Sequence, residues 1–178
     1  RNGAVDVFFK EIPAIKDNYL LIKTCYSAIS PGTELTMTAN SGEEIVSMGY
    51  SASGQVIEVG KGAQGFAKGD YVACYGAPYV GHREYLLVPK TLCTPIPEGV
   101  DLKEASLAGL GAIAIHALRK AQLQFGETAV VVGLGIFGQL IAQIGDAAAL
   151  RVLPLNRSAS RARLLEEVSQ LQAYTDEK

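Results

Sequence analysis

The sequence is poor in residues that hold metals and in segments that cross membranes. Its three cysteines, Cys25, Cys74 and Cys93, are odd in number, widely spaced and contain no Cys-x-x-Cys pair. That argues against a disulfide frame and reads as buried thiols of a reducing compartment. The two histidines, His82 and His116, stand far apart, and with scattered cysteines they do not supply the three protein ligands of a catalytic zinc. No signal-peptide pattern and no apolar run of bilayer length is present, so the expected location is cytoplasmic, without a membrane partner. A net charge of -2 gives no general attraction to nucleic acid or to an anionic surface. Charged residues make up only 19%, against 48% hydrophobic, which leaves ample material for a core and argues against disorder. The length of 178 residues suits one large domain or a domain and a half.

Glycine, by contrast, is plentiful, and its most informative placement is Thr128-Ala129-Val130-Val131-Val132-Gly133-Leu134-Gly135-Ile136-Phe137-Gly138. The β-branched run Val130 to Val132 predicts a strand buried on both faces of a parallel sheet, and Gln139 to Ala148 continues as an apolar helix. In Gly133-x-Gly135-x-x-Gly138 the first glycine allows the turn, the second lets backbone approach a pyrophosphate, and the third lets the helix pack on the strand. The helix N-terminus then offers unpaired N–H groups and a positive dipole end to phosphate. Gly133, Leu134, Gly135, Ile136, Phe137 and Gly138 are therefore the candidate cofactor loop, a reading that outweighs a tight turn without ligand.

A dinucleotide fold places a second strand about twenty residues on, ending beside the adenosine ribose. Arg151 to Leu155 meets that spacing and ends in Asn156-Arg157-Ser158, with no carboxylate. An Asp or Glu would chelate the ribose hydroxyls and repel a 2′-phosphate, whereas Asn156, Arg157 and Ser158 offer neutral and cationic donors to it. This favours NADP(H) over NAD(H). Pro154 removes a ladder donor and predicts a bulge in that strand.

Ahead of this region the chain reads as short strands separated by Gly and Pro. Val5–Phe9 and Tyr19–Thr24 are strand-like, Ser30 to Glu34 is a turn, and the polar residues 36–44 form a loop. Strands follow at Gln55–Gly60, Tyr71–Tyr75 and Glu84–Val88, which points to an antiparallel barrel or sandwich. After Pro95 to Val100 the composition turns helical: Asp101 to Glu104 caps and begins a helix, and Ala105 to Ala121 is a helix with basic residues at its far end. Ser158 to Gln172 is a last helix, capped by Ser158 or Ser160.

An all-β half, a helix and then Gly-x-Gly-x-x-Gly resembles the medium-chain dehydrogenase/reductase superfamily, the zinc alcohol dehydrogenase-like proteins. The motifs that carry the likeness are Tyr26 to Glu34, Gly49 to Gly60, Gly81-His82-Arg83-Glu84-Tyr85 and Ala114 to Leu118 before Gly133 to Gly138. The resemblance implies a mixed β and α/β fold: a GroES-like β-barrel over residues 1–100, and a linking helix with part of a Rossmann domain over residues 101–178. It implies an NAD(P)-dependent oxidoreductase acting on an alcohol, carbonyl or activated alkene, and an oligomer, dimer or tetramer. Only the first two strands of the Rossmann sheet are present, so the expectation is a piece of a longer protein. Where zinc-dependent members place their ligands, this chain has Ser30 or Pro31, Tyr50, and the stretch Ala108 to Gly111, so the resemblance points to a branch with no zinc.

Without zinc, hydrogen-bond donors must polarise a carbonyl, and Ser30, Thr33, Tyr50 and Ser51 are the catalytic candidates. Tyr50 could donate a proton or pack its ring. Glu34 is expected to bind a backbone N–H or a cation, His82 to serve its loop, and His116 to sit in the core. The leading function is thus a zinc-independent NADP(H) oxidoreductase acting on a small-molecule substrate. The alternatives are a nucleotide-binding sensor or scaffold without turnover, and a truncated product.

Overall fold

The computed structural model describes residues 4–175 of the chain. Two compact units are present, Arg1–Gly109 and Leu110–Lys178. Each is built differently.

The first unit holds a curled antiparallel sheet. Its strands are β1 (Tyr19–Ser27), β2 (Ser51–Val59), β3 (Tyr71–Tyr75), β4 (Tyr85–Pro89) and β5 (Cys93–Pro95), in the spatial order β4-β1-β2-β3-β5. β1 shifts register against β2 twice, between Leu21 and Ile22 and between Thr24 and Tyr26; such bulges bend a strand and add twist. The inward residues Leu20, Ile22, Val56, Val72, Leu86 and Val88 form a sealed core with Val80 from the loop after β3.

Two sequence expectations fail in this unit. Val5–Phe9 forms no strand, and Val5, Val7 and Phe9 are exposed. Alternation of side chains does not make a strand without a partner edge for its backbone. Residues 31–40, read as a turn and loop, form helix α1 (Pro31–Asn40). Pro31 stands in the first helical turn, where its missing N–H costs nothing. Glu34 reaches back so that its Oε1 accepts the Ser30 backbone N–H at 2.8 Å, which satisfies the donor at the N-cap of the helix. The short helix α2 (Leu102–Ala105) is capped as expected, with Asp101 Oδ1 accepting from the N–H groups of Lys103 and Glu104.

The second unit contains β6 (Thr128–Val132) and β7 (Arg151–Leu155) as a parallel pair, with α4 (Ile136–Ala147) between them and α5 (Ala159–Val168) after them. Helix α3 (Ala108–Ala121) spans the boundary between the units. Ala129, Val131, Leu134, Ala142, Val152 and Leu165 make the core, with Leu118 and Leu123 against it. The expectation that β6 is buried on both faces is corrected: Val131 is buried, but Val130 and Val132 are 58% and 81% exposed. A strand with covering residues on one face alternates in burial, and β6 does so.

Pro154 produces no bulge. The β6–β7 register runs uninterrupted through the Val131–Pro154 pair. The carbonyl of Pro154 accepts from Tyr174 N–H at 2.8 Å, so the backbone polar groups of Pro154 face away from β6. The donor that proline lacks is therefore not one that the β6–β7 ladder uses. His116, expected in the core, is exposed on α3.

Candidate functional site

In the second unit the glycine turn has the shape that a phosphate loop requires. Gly133 has φ +94, in the left-handed region that glycine enters freely. A Cβ on Gly138 would overlap the Gly133 carbonyl oxygen, so only glycine lets α4 begin this close to the end of β6. Beside Gly135, in contrast, the space is open: the nearest atom to a Cβ there is Arg161 Nη1, at 3.8 Å. The first turn of α4, Ile136, Phe137 and Gly138, carries N–H groups with no carbonyl inside the helix to accept them. A small cradle of backbone donors with room in front of it fits a pyrophosphate.

Asn156, Arg157 and Ser158 turn out to have different jobs. Asn156 Oδ1 accepts the Leu134 backbone N–H at 2.9 Å, and its Nδ2 donates to the Ser158 carbonyl at 2.9 Å. The amide thus ties the loop after β7 to the glycine turn after β6, and both of its ends are engaged. Ser158 stands at the N-cap of α5 without capping it; its hydroxyl is paired with that of Ser160 at 2.7 Å. Arg157 is exposed. Arg161 was not among the candidate residues read from the sequence, yet its guanidinium lies beside Gly135. The signal that could have found it is its place in the first turn of α5, one helical turn after the β7 loop. That end of the helix turns back toward the glycine motif.

In the first unit the motif residues gather where β1 ends and β2 begins. Ser30 is buried, and its hydroxyl reaches Thr33 Oγ1 at 3.4 Å. Thr33 itself is exposed on α1. Ala28 N–H donates to the Ser51 carbonyl, and Gly76 N–H to the Tyr50 carbonyl, so the Tyr50–Ser51 backbone is held from both sides. The half-buried Tyr50 ring meets Tyr75 edge to face, 5.8 Å between centroids at 85°, which fixes the ring and leaves its hydroxyl available. Ser51 is 1% exposed, and its hydroxyl donates to the Ser106 carbonyl at 2.6 Å. With Ser53, which donates to Leu102 O, it fastens α2 to β2. Of the four catalytic candidates, Ser51 has its proton in structural use.

A cluster that was read separately by sequence is joined here. His82 Nδ1 lies 2.9 Å from Ser27 Oγ, and His82 Nε2 lies 3.0 Å from Glu34 Oε2. Glu34 is buried, while the His82 side chain is 28% exposed. Gly49 has φ +85, and a Cβ there would stand 2.9 Å from the imidazole. The backbone just ahead of Tyr50 is thus shaped around His82.

The donor set does not match a catalytic zinc. Ser30, Pro31, Tyr50 and the stretch Ala108 to Gly111 provide no thiolate, imidazole or carboxylate. Among the described residues no three of His, Cys, Asp and Glu converge, and His82 with Glu34 makes only two. No helix of the described residues is long and apolar enough to cross a membrane.

Comparison with known proteins adds a family. Residues 16–98 match the alcohol dehydrogenase GroES-like domain. L-galactonate-5-dehydrogenase of Escherichia coli is 29% identical over 182 residues, covering 85% of this chain and 53% of that protein. 2-Dehydro-3-deoxy-L-galactonate 5-dehydrogenase of Pseudoalteromonas atlantica is 26% identical over 166 residues, covering 73% of this chain and 48% of that protein. The chain therefore spans about half the length of the curated relatives it matches. Among solved structures, a protein from Sinorhizobium meliloti 1021 assigned as a zinc-binding dehydrogenase and bound to NADP superposes with a TM-score of 0.84. Its identity is 23%, and the match covers 99% of this chain and 60% of that one. Residues 16–98 thus match the alcohol dehydrogenase GroES-like domain, and over most of its length the chain is similar to curated dehydrogenases, with the fold of solved proteins of the alcohol dehydrogenase type.

Proposed function

We propose that this chain forms the substrate-side unit and the first part of the cofactor-binding unit of a zinc-independent, NADP(H)-dependent oxidoreductase. Its substrate class is a small alcohol or carbonyl, or an activated alkene. The observation that carries this reading is the glycine turn with its open cradle at Gly135, tied through Asn156 to a β7 loop that bears Arg157 and no carboxylate and leads into Arg161 in the first turn of α5. The Gly133–Gly138 turn and the start of α4 would hold the pyrophosphate; Arg157 and Arg161 would meet the 2′-phosphate. The bound cofactor supplies or accepts the hydride, and the protein contributes orientation and donors. The NADP-bound relative supports the cofactor, and the dehydrogenases among the curated relatives support the class of chemistry.

The reading without zinc rests on the donors at Ser30, Tyr50 and Ala108 to Gly111. Tyr50 and Thr33 are the hydroxyls left to polarise a substrate oxygen in place of a metal, with Ser30 behind Thr33. Ser51 serves by holding α2, and assembly as a dimer or tetramer belongs to the same proposal.

The test is a fluorescence titration of the full-length protein with NADPH and NADH, before and after Arg157→Ala and Arg161→Ala. Expected is NADPH binding at least tenfold tighter than NADH, with the preference lost in the double variant. Equal binding of both nucleotides would remove the NADP assignment, and binding of neither would remove the oxidoreductase. Nucleotide binding without turnover on any alcohol, carbonyl or enone would favour a sensor or scaffold.

A further inference from the structure

Three elements, the neighbouring β1 and α1 and the loop between β3 and β4 that lies 48 to 55 residues further on, deliver Ser27, Glu34 and His82 to one chain of hydrogen bonds. Ser27 is the last residue of β1, Glu34 lies in the first half of α1, and His82 sits in the loop between β3 and β4. The contacts are 2.9 Å from Ser27 Oγ to His82 Nδ1 and 3.0 Å from His82 Nε2 to Glu34 Oε2. The other carboxylate oxygen, Oε1, accepts Ser30 N–H at 2.8 Å. Both oxygens of a buried carboxylate are thus fixed as acceptors, and the ring nitrogen facing Oε2 must carry a proton. The ring's other nitrogen faces the hydroxyl. In the neutral imidazole Nδ1 accepts the Ser27 proton; in the imidazolium Nδ1 donates to Ser27 Oγ, which frees the hydroxyl proton for a third group. The heavy atoms need not move between the two states.

The surroundings support this use of the ring. His82 N–H is anchored on the Met48 carbonyl at 2.9 Å, and the missing Cβ of Gly49 gives the imidazole its place. Glu34, from α1, is the charged group in contact with it. On its own loop, Arg83 turns its guanidinium to Ser47 Oγ and the Pro78 carbonyl. The neighbours from β1 and from residues 48–49 are the neutral Ser27 and backbone. Burial falls from the inner end of the chain to the outer: Glu34 is closed off, and His82 and Ser27 are partly open. An imidazole with a buried carboxylate behind it and a hydroxyl in front of it is arranged to pass a proton outward.

We propose that Ser27, His82 and Glu34 form a proton relay: Ser27 exchanges the proton with the substrate oxygen, His82 resupplies Ser27, and Glu34 holds the ring. The proposal rests on the oxidoreductase reading above. In the reducing direction the carbonyl carbon gains a hydride from the nicotinamide cofactor, and the C–O π pair becomes a lone pair on oxygen. That oxygen takes the proton from Ser27 Oγ, Ser27 takes the proton from His82 Nδ1, and the imidazole is left neutral, keeping its Nε2 proton in the hydrogen bond to Glu34 Oε2. Solvent restores the lost proton through the open side of the ring. Oxidation of an alcohol runs the same transfers backwards. Ser27 is the catalytic residue of this set, and His82 and Glu34 act through it.

Two readouts test it in the full-length protein. The first needs no cofactor: long-range proton–nitrogen NMR of the His82 ring. The neutral ring is expected to carry its proton on Nε2, and the Nδ1 resonance is expected to move in Ser27→Ala. A proton on Nδ1 instead, or an Nδ1 that does not respond, overturns the relay. The second compares two acceptors with NADPH, an aldehyde panel and an ortho-quinone whose reduced anion is stable without a protein proton. Ser27→Ala and His82→Asn should lose roughly 100-fold in kcat on the aldehydes and less than about threefold on the quinone. NADPH affinity should be unchanged, and Ser27→Thr should restore most of the loss. The fall of the aldehyde rate toward high pH should disappear in His82→Asn. Equal losses on both acceptors, or none, would make the cluster a structural clamp and overturn the relay. Failure of the wild-type protein to bind NADPH would instead remove the oxidoreductase reading, and the relay with it.

Discussion

The two sheets of this chain are built by opposite strategies. In the five-stranded antiparallel sheet Leu20, Ile22, Val72, Leu86 and Val88 are each 0% exposed, because a bulged, curled sheet folds its own strands around their inward side chains. In the two-stranded parallel sheet Val131 is covered, but its neighbours Val130 and Val132 stand open. A parallel pair depends on helices for cover, and α4 and α5 are on one face only. The first unit thus makes its core from itself, whereas the second makes half of one and carries the glycine turn on it. The difference teaches where mutations act: in the first unit through packing, in the second through backbone geometry.

The largest expected effect breaks or upholds this contrast directly. Leu86→Ala should cost about 2–5 kcal/mol in denaturant unfolding, and Val132→Ala less than about 0.5 kcal/mol. Similar losses would mean that the outer face of β6 is packed in solution. Next comes Gly138→Ala, whose Cβ would meet the Gly133 carbonyl oxygen. A loss of roughly 1–3 kcal/mol is expected, read as faster amide exchange in residues 129–142 with the β1–β4 amides unchanged, and with NADPH binding abolished. Spread of the exchange into the first sheet would show that the units unfold together.

Asn156→Ala is milder. It leaves the Leu134 N–H without its acceptor, at a cost of about 1 kcal/mol, and should weaken NADPH binding roughly fivefold by loosening the turn. Unchanged binding would separate the amide from cofactor recognition. The smallest effect concerns the thiols of the first unit. Burial pushes Cys74 and Cys93 from the ordinary 9.0 up to about 12, with the nearby Cys93 adding to the shift of Cys74. The folded state thus favours the protonated thiols: their contribution to stability is whole below pH 9 and is lost progressively as the pH rises through about 12. At pH 8 a thiol reagent should modify the exposed Cys25 alone, with Cys74 and Cys93 reacting only on unfolding. Removing both buried thiols should flatten the alkaline loss of stability. Rapid native-state labelling of Cys74 would show that the first core opens more readily than its burial implies.

Legibility followed the range of the interactions. The glycine turn, the Asp101 cap and the strands β2 to β4 were readable because each is set by residues within a few positions. Helix α1 was not, since its polar composition hid a helix whose start depends on Pro31 and on Glu34 reaching back to Ser30. The strand at Val5–Phe9 was overread from alternation alone. At the candidate site, the glycine turn was legible by residue type, while the use of each side chain was not. Asn156, read as a phosphate donor, ties two loops through both ends of its amide; Ser51, read as catalytic, donates to the Ser106 carbonyl; and Arg161 was not among the candidates. His82 and Glu34, read apart as a loop residue and a structural acid, proved to be joined through one ring.

By itself the sequence determined most of the kinds of element and the family resemblance, because periodicity, glycine spacing and turn residues act over short separations. Only the tertiary structure decided which face of β6 is covered and where the Asn156 amide points. It alone brought Ser27, Glu34 and His82 together, since a hydrogen bond across 48 or 55 residues depends on the path of the whole sheet and leaves no local trace in the chain.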